Sequence, residues 1–458
     1  MHPALTRIQK AIEGTPFQSD LFLVGGAVRD DLLGQPGSDD FDLVTRQSAP
    51  ELAKLLFERN VSSIFPVVFE RFGTAMIEVE GVKIELVTAR KESYAKNSRK
   101  PAVEAGSYRD DALRRDFTVN TLMRSLSDWT LIDPLQSGAA DLENKVLRTP
   151  LDPVKTFEDD PLRMLRAVRF RWKFNLTPVK GLYDAIYMKR SRLKIVSFER
   201  IRDELQKMLL HPTASDALDD LMKLGIFEVV APEFRAMVKC EQGKYHHLDV
   251  WDHTRLVVDN IVKSGSQDFD LILGGLFHDI GKPTTRTIDD EGNIRFFGHE
   301  AVGADMARDI LNRWKIAGDD VDRICRLVKN HMRLGSAPVF SDSAARRLIK
   351  DLGPCLADLL SLVEADANAL KTGVRVLDLS EIRNTINRVE SATPIDKLAS
   401  PLTGLEIMQL TGLPPGKKVG ELKRMLDELV LDGQLSPEDK NGAVDQISKR
   451  YLVNPPSA

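Results

Sequence analysis

The stretch LFLVGGAVRDDLLGQPGSDDFDLVT, from Leu21 to Thr45, constrains this chain more than any other. An apolar run closes on Gly25-Gly26, a short helical pattern follows, and a second strand carries Asp40 and Asp42 on either side of Phe41. Residues two apart on a strand leave the same face, so the carboxylates stand together while Phe41 points into a core. Their spacing of ~6.6 Å along a strand suits a pair of divalent cations about 3.5–4 Å apart. Glycine lets backbone approach a triphosphate, and the start of the next helix favours an anion. Gly-Gly alone reads as a tight turn. Followed closely by Asp-x-Asp, it predicts a nucleoside triphosphate held over two metal ions.

At 458 residues the chain needs two to four domains. Its 42% hydrophobic and 29% charged residues describe a water-soluble globular protein. No apolar run approaches the ~20 residues that span a bilayer. The N-terminus, MHPALTRIQKAIEG, reads as an amphipathic helix and not a signal peptide, so a cytoplasmic protein is expected. Cys240, Cys325 and Cys355 are too scattered for a zinc knuckle or a disulfide framework. The net charge of -4 is uninformative, but its distribution is not. Between Arg163 and Arg202 stand twelve Lys and Arg against Asp184 and Glu199, a net +10. Such a run is either a solvated helical surface or a footprint for RNA or DNA, and its place beside a nucleotide site favours the second.

Strands are expected at Leu21–Val24, Phe41–Val44, Thr74–Val79 and Val82–Thr88, the last two forming a hairpin about Glu80-Gly81. Residues 93–109 are polar and aperiodic and read as a flexible loop. From about residue 157 helical periodicity takes over, first in DPLRMLRAVRFRWKF. The expected fold class is α+β: a mixed-sheet head over 1–150, a helical neck over 151–235, a helical body over 236–370 and a helical tail over 371–458. Glu85, an acid within the apolar strand VKIELVT, reads as a buried carboxylate that needs a cation. If its strand lies beside that of Asp42, it completes a three-carboxylate site.

GGAVRD (25–30), LLG (32–34), DDFDLVT (39–45), Glu85 and RRDFTVNTL (114–122) together resemble the head of the class II tRNA nucleotidyltransferases, a family that also includes bacterial poly(A) polymerases. IDPLQSGAADLENKVLRT (132–149), DDPLRMLRAVRF (159–170) and ERIRDEL (199–205) extend the resemblance over the first ~210 residues. It implies a polymerase-beta-type head in which Asp40, Asp42 and Glu85 are catalytic and hold Mg2+. It also implies nucleotide-binding roles for Gly25, Gly26, Arg29, Arg114, Arg115, Asp116, Asn120, Asp160, Arg163 and Arg166. Adjacent arginines supply the positive charge a triphosphate needs. Asp116 and Asn120, four apart, can face one ligand. Asp160 and Arg163, three apart on an expected helix, can read Watson–Crick edges as a carboxylate and a guanidinium side by side. Where the family's motif has Glu, this chain has Asp159, which keeps the charge.

Six of the eight histidines lie between residues 246 and 331. The order His253, His278-Asp279, His299, His331, Asp366 resembles the HD superfamily of metal-dependent phosphohydrolases. The resemblance implies a cage of His253, His278, Asp279 and Asp366 around a divalent metal. His299 and His331 are then further ligands or phosphate contacts, and Lys282 is a phosphate-positioning group. Imidazole and carboxylate suit Mn, Ni, Fe, Zn or Mg without choosing among them.

The function these resemblances imply is template-independent addition of CCA to tRNA from CTP and ATP, with hydrolysis of terminal phosphoesters by the HD domain. An A-adding enzyme, a CC-adding enzyme and a poly(A) polymerase lie within the same family. The long loop between Arg90 and Arg109 favours an enzyme able to add A, and FERFGTAMI (69–77) lacks an arginine-rich poly(A) polymerase signature. An HD hydrolase with an RNA-binding head is the reading from another class. The tail over 371–458 either cradles a tRNA arm or packs on the HD domain.

Overall fold

The computed structural model describes residues 1–35, 39–93, 102–243, 247–334, 340–370, 379–392 and 398–452. They form two compact units, Met1–Pro232 and Glu233–Ala458.

The first unit is built on a seven-stranded sheet. Its strands include β1 (Leu21–Val24), β2 (Phe41–Thr45), β3 (Val67–Phe69), β4 (Thr74–Val79) and β5 (Val82–Thr88). The order is β3-β4-β5-β2-β1, continued by Met123–Ser125 and Leu131–Ile132. Only β2 and β5 run parallel; their register sets Asp42 opposite Glu85. The β4–β5 hairpin turns on Glu80 and Gly81 at φ +53° and +77°, the two positive φ values of a two-residue hairpin turn. One face of the sheet is a closed core. Leu43, Ile77, Ile84 and Leu86 are fully buried there, with the helix Ala49–Glu58 packed on β4 and β5. That helix starts where Ser48 accepts from the Glu51 amide, an N-cap contact.

The four expected strands are present. The sequence missed Val67–Phe69, Met123–Ser125 and Leu131–Ile132, which are too short to show alternation. The expected loop over 93–109 is partly structured. Arg90–Ser93 pairs with Ala102–Ala105, and Ser107 opens the helix Tyr108–Leu113 with a capping box to Asp110. Residues 94–101 lie outside the described residues. The helix expected through DPLRMLRAVRFRWKF is present but starts late, as Arg163–Lys173, and a separate helix, Pro153–Asp159, precedes it. Pro161 disfavours helical backbone at the residue before it, and Asp160 is extended at φ -136°, ψ 102°.

Further on, the cationic stretch is mostly neutralised inside its own unit. Arg166, Arg169, Arg171, Lys189, Arg190, Arg200 and Arg202 lie in ion pairs. Buried Asp220 alone accepts from Arg171, Trp172 Nε1 and Tyr183 Oη. The +10 counted along the sequence is therefore not a free +10 on the surface.

The second unit is helical apart from the ribbon Thr287–Ile288 with Ile294–Arg295. Phe234, Trp251, Phe277 and Trp314 form an aromatic core beneath the helices Val250–Lys263, Phe269–Phe277 and His299–Arg313. A separate small core of Leu402, Ile407, Val419, Leu426 and Ile447 gathers the last helices. All three cysteines are buried and free. Among the described residues, no helix is long and apolar enough to cross a membrane.

Candidate active sites

In the first unit, the end of β1 opens a cleft of about 390 Å³. Gly25 turns the chain at φ +76°. A Cβ there would meet Arg115 Nη1 and Asp42 Oδ2 at 3.3 Å, so both its torsion and its neighbours call for glycine. Arg115 and Arg114 bond Asp111, buried on the helix before them, at 3.1 and 2.6 Å. This fixes two guanidinium groups beside the Gly25 turn. Burial, with Glu85 and Asp40 nearby, pushes the Asp42 carboxyl up to about 6 against the pull of Arg115. Crowded carboxylates of this kind are what a divalent cation relieves, so the residues present fit such an ion.

Behind the cleft runs a polar chain. Arg29 donates to Asn120 Oδ1 at 2.5 Å, and Asn120 donates to Asp116 Oδ1 at 2.8 Å. Arg166 grips Asp116 Oδ2 through two nitrogens at 2.8 and 2.6 Å. Burial would raise the Asp116 carboxyl, but Arg166 and Asn120 hold it well below the usual carboxylate range. Arg29 lies over the rings of Phe174 and Phe170, at 4.2 and 5.0 Å.

In the second unit, His253 comes from the helix Val250–Lys263 and His278-Asp279 from the end of Phe269–Phe277. His299 opens the helix His299–Arg313, His331 follows Gly318–Asn330, and Asp366 lies on Leu356–Ala367. The Nδ1 atoms of His278, His299 and His331 lie 2.7, 2.8 and 2.7 Å from the carbonyls of Gly275, Phe296 and Val328. A carbonyl only accepts, so each Nδ1 carries a proton, and Nε2 is the ring nitrogen left to face a metal. His299 Nε2 and His331 Nε2 are 3.2 Å apart. Two ring nitrogens at that distance share either a proton or a cation. Two triads result, His253/His278/Asp279 and Asp279/His299/His331, joined at Asp279. Asp366 Oδ1 is 2.9 Å from His253 Nε2. Burial, with His278 alongside, pushes His331 down to about 4, which keeps it neutral, as a metal ligand must be. Burial opposes the charge on Asp279, yet His278 and Lys282 hold its carboxyl well below its ordinary value. These donors fit a divalent transition metal, and their arrangement has room for two. Gly281 permits the packing: a Cβ would stand 2.2 Å from the His299 carbonyl.

Three family models match: the poly A polymerase head domain over residues 21–148, the probable RNA and SrmB-binding site of polymerase A over 176–237, and the HD domain over 245–380. The chain is 35% identical over 444 residues to the A-adding tRNA nucleotidyltransferase of Deinococcus radiodurans, covering 94% of this chain and 96% of that one. The chain belongs to the tRNA nucleotidyltransferase family. It is also 30% identical to the CC-adding tRNA nucleotidyltransferase of Thermus thermophilus, over 92% of each chain. Its fold matches the crystal structure of the Bacillus stearothermophilus CCA-adding enzyme in complex with CTP, at a TM-score of 0.70, 22% identity, and 99% and 100% coverage. The family and the HD domain are metal-dependent, in keeping with the two candidate metal groups of the cage.

Set against the family motifs, the cleft is lined by all ten residues expected to bind nucleotide and by Asp42. Three details differ from the sequence reading. Asp40 precedes β2 and is exposed. Glu85 is exposed as well, because the period-two alternation that buries Ile84 and Leu86 turns Glu85 outward with Lys83. Asp160 and Arg163 do not share one helix. Asp160 sits in the break, where its Oδ1 accepts from the Leu162 amide and Oδ2 pairs with Arg200, while Arg163 donates to the Arg114 carbonyl. Arg169, Phe170 and Arg200 also line the cleft and were missed. The Arg163, Arg166, Arg169 spacing on one helix face was the available signal. In the cage, Lys282 is engaged with Asp279 Oδ2 and Gln242 Oε1, at 2.7 and 2.6 Å.

Proposed function

We propose that this chain adds CCA to the 3′ ends of tRNA from CTP and ATP without a template. The observation that carries this reading is the cleft that gathers Gly25, Asp42, Arg114, Arg115, Asp160 and Arg163 from distant segments. In this reading Asp40, Asp42 and Glu85 hold Mg2+, which favours ionisation of the attacking hydroxyl and offsets the triphosphate charge. Arg114 and Arg115, with the backbone of Gly25 and Gly26, orient the triphosphate. The terminal 3′ oxygen attacks the α-phosphate, the bond to the β-phosphate breaks, and pyrophosphate leaves. Asp116, Asn120, Arg166 and Arg29 keep this framework rigid around the sugar. Asp160 accepts from the exocyclic amine of cytosine or adenine, and Arg163 donates to the adjacent ring nitrogen. Guanine and uracil present the reverse order, an acceptor and then a donor, and leave both side chains unpaired.

The second unit, in the same reading, is a phosphohydrolase for cyclic phosphodiesters, 2′-nucleotides or phosphomonoesters at RNA ends. His253, His278, Asp279, Asp366, His299 and His331 serve as ligands, and Lys282 balances Asp279. In this reading the enzyme is cytoplasmic and works on tRNA. The organisation that fits is a head over 1–150, a neck over 151–235, an HD domain over 236–370 and a tail over 371–458.

The test is incorporation on tRNAs ending before CCA, after C and after CC, with each NTP supplied singly and together. Addition of C, C and A in sequence, with no G or U, supports the reading. The whole-length likeness to an A-adding relative favours a second reading: incorporation confined to A on tRNA ending in CC would establish it.

A further inference from the structure

The catalytic face of the sheet continues past its acids. Following the register outward from Asp42, the opposed residues are Glu85 on β5, Met76 on β4 and Val67 on β3. Directly opposed residues share a face. At ~4.8 Å between strands, Met76 stands about 5 Å and Val67 about 10 Å beyond Glu85. Phe69, two residues along β3, shares the face of Val67. All three are open to solvent, at 37%, 48% and 49% exposure. Phe72 adjoins them, 37% exposed, with the Arg71 guanidinium 5.8 Å from its ring centroid. The opposite face of β4 and β5 is closed by fully buried Ile77, Ile84 and Leu86. An open apolar and aromatic shelf with a cation beside it is the composition on which single-stranded bases stack while their phosphates are neutralised.

We infer that this shelf holds the unpaired 3′ end of the acceptor RNA. Its terminal bases lie on Met76, Val67 and Phe69, and its terminal hydroxyl reaches Asp42 and Glu85. The inference rests on the nucleotidyl-transfer reading and names the second substrate's seat within it. Continuity with the acids decides the occupant. A second copy of this chain pairing at the β3 edge is disfavoured, because three-residue edge strands offer little to pair with.

The experiment compares the wild type with Val67→Ser/Phe69→Ser and with Met76→Ser, all at exposed positions. Each is assayed on tRNA lacking CCA and on the same tRNA with an abasic 3′-terminal nucleotide. The KM for tRNA should rise about tenfold in the double variant, with the KM for CTP unchanged. Phe69→Tyr, which keeps a ring for stacking, should restore it. The abasic RNA should cost the wild type a similar factor and the double variant little more. An unchanged KM for tRNA, or equal losses on both RNAs, overturns the shelf. So does a wild-type dimer in sedimentation that the double variant dissociates without a change in KM. If the wild type incorporates nothing into any tRNA, both readings fall; if it incorporates normally and the variants match it, only the shelf does.

Discussion

The head cleft and the histidine cage both assemble negative charge for cations, on opposite plans. The head offers oxygen alone, from a strand and its neighbour in register, with Asp40 and Glu85 exposed. Its countercharges, Arg114 and Arg115, are tied to Asp111. Apart from the partly exposed Asp366 the cage is buried, and three of its imidazoles have Nδ1 set by backbone carbonyls before any metal arrives. Exposed carboxylates exchange hard ions with water readily, whereas fixed neutral imidazoles hold a borderline metal firmly. We therefore expect a head that takes its metal with each incoming triphosphate and a cage that keeps one resident.

The largest expected effect separates the two chemistries. Asp42→Ala, alone or with Asp40→Ala, should lower nucleotide incorporation by about a thousandfold or more. Hydrolysis of a 2′,3′-cyclic phosphate should stay near the wild-type rate. Incorporation that survived would remove the head acids from the mechanism. Next in size, His278→Ala should abolish that hydrolysis, spare incorporation and empty the cage of metal by elemental analysis. A resident metal present at a thousandfold over its Kd adds about 4 kcal/mol to stability. A chelator should therefore lower the melting temperature of the wild type clearly and that of His278→Ala hardly at all. Equal chelator sensitivity in both would break the contrast between a resident and a visiting ion.

Much of this contrast was legible in the sequence. The histidines could be read because their types and order survive folding: a metal cage needs those donors whatever helices carry them. The Asp-x-Asp strand could be read for the same reason, and Phe41 is buried as alternation requires. What failed was local geometry set by one residue. Pro161 kept Asp160 out of the helix that was to align it with Arg163, and the alternation that buries Ile84 turned Glu85 to solvent. Charge pairing was illegible because partners lie far apart along the chain. Arg166 meets Asp116 and Arg171 meets Asp220 only after folding. A count of cations along the sequence therefore overstated the surface charge.

The smallest expected effect tests the visiting ion by pH. Burial and the neighbouring carboxylates raise Asp42 in the folded, metal-free chain from 3.8 to about 6. The folded state then binds this proton more tightly than the unfolded state. Its contribution to stability is complete below pH 3.8 and is lost as pH rises through about 6. In the proposed reading Mg2+ would take the proton's place above that window and would have to displace it below. Mg2+ should therefore raise the melting temperature of the first unit's transition by about 2 °C more at pH 8 than at pH 5, and Asp42→Asn should abolish the difference. The cage is mixed: burial pushes His331 down to about 4, whereas at His278 burial is outweighed by Asp279, which raises it. Three of its donors are set by backbone carbonyls before binding, so its metal should be retained at pH 5, where the head has given up most of its affinity. Scanning calorimetry of metal-loaded protein at the two pH values reads both transitions together. Parallel loss of both ions at pH 5 would mean that the two sites differ in ligand type alone, and not in how tightly each is organised before its metal binds.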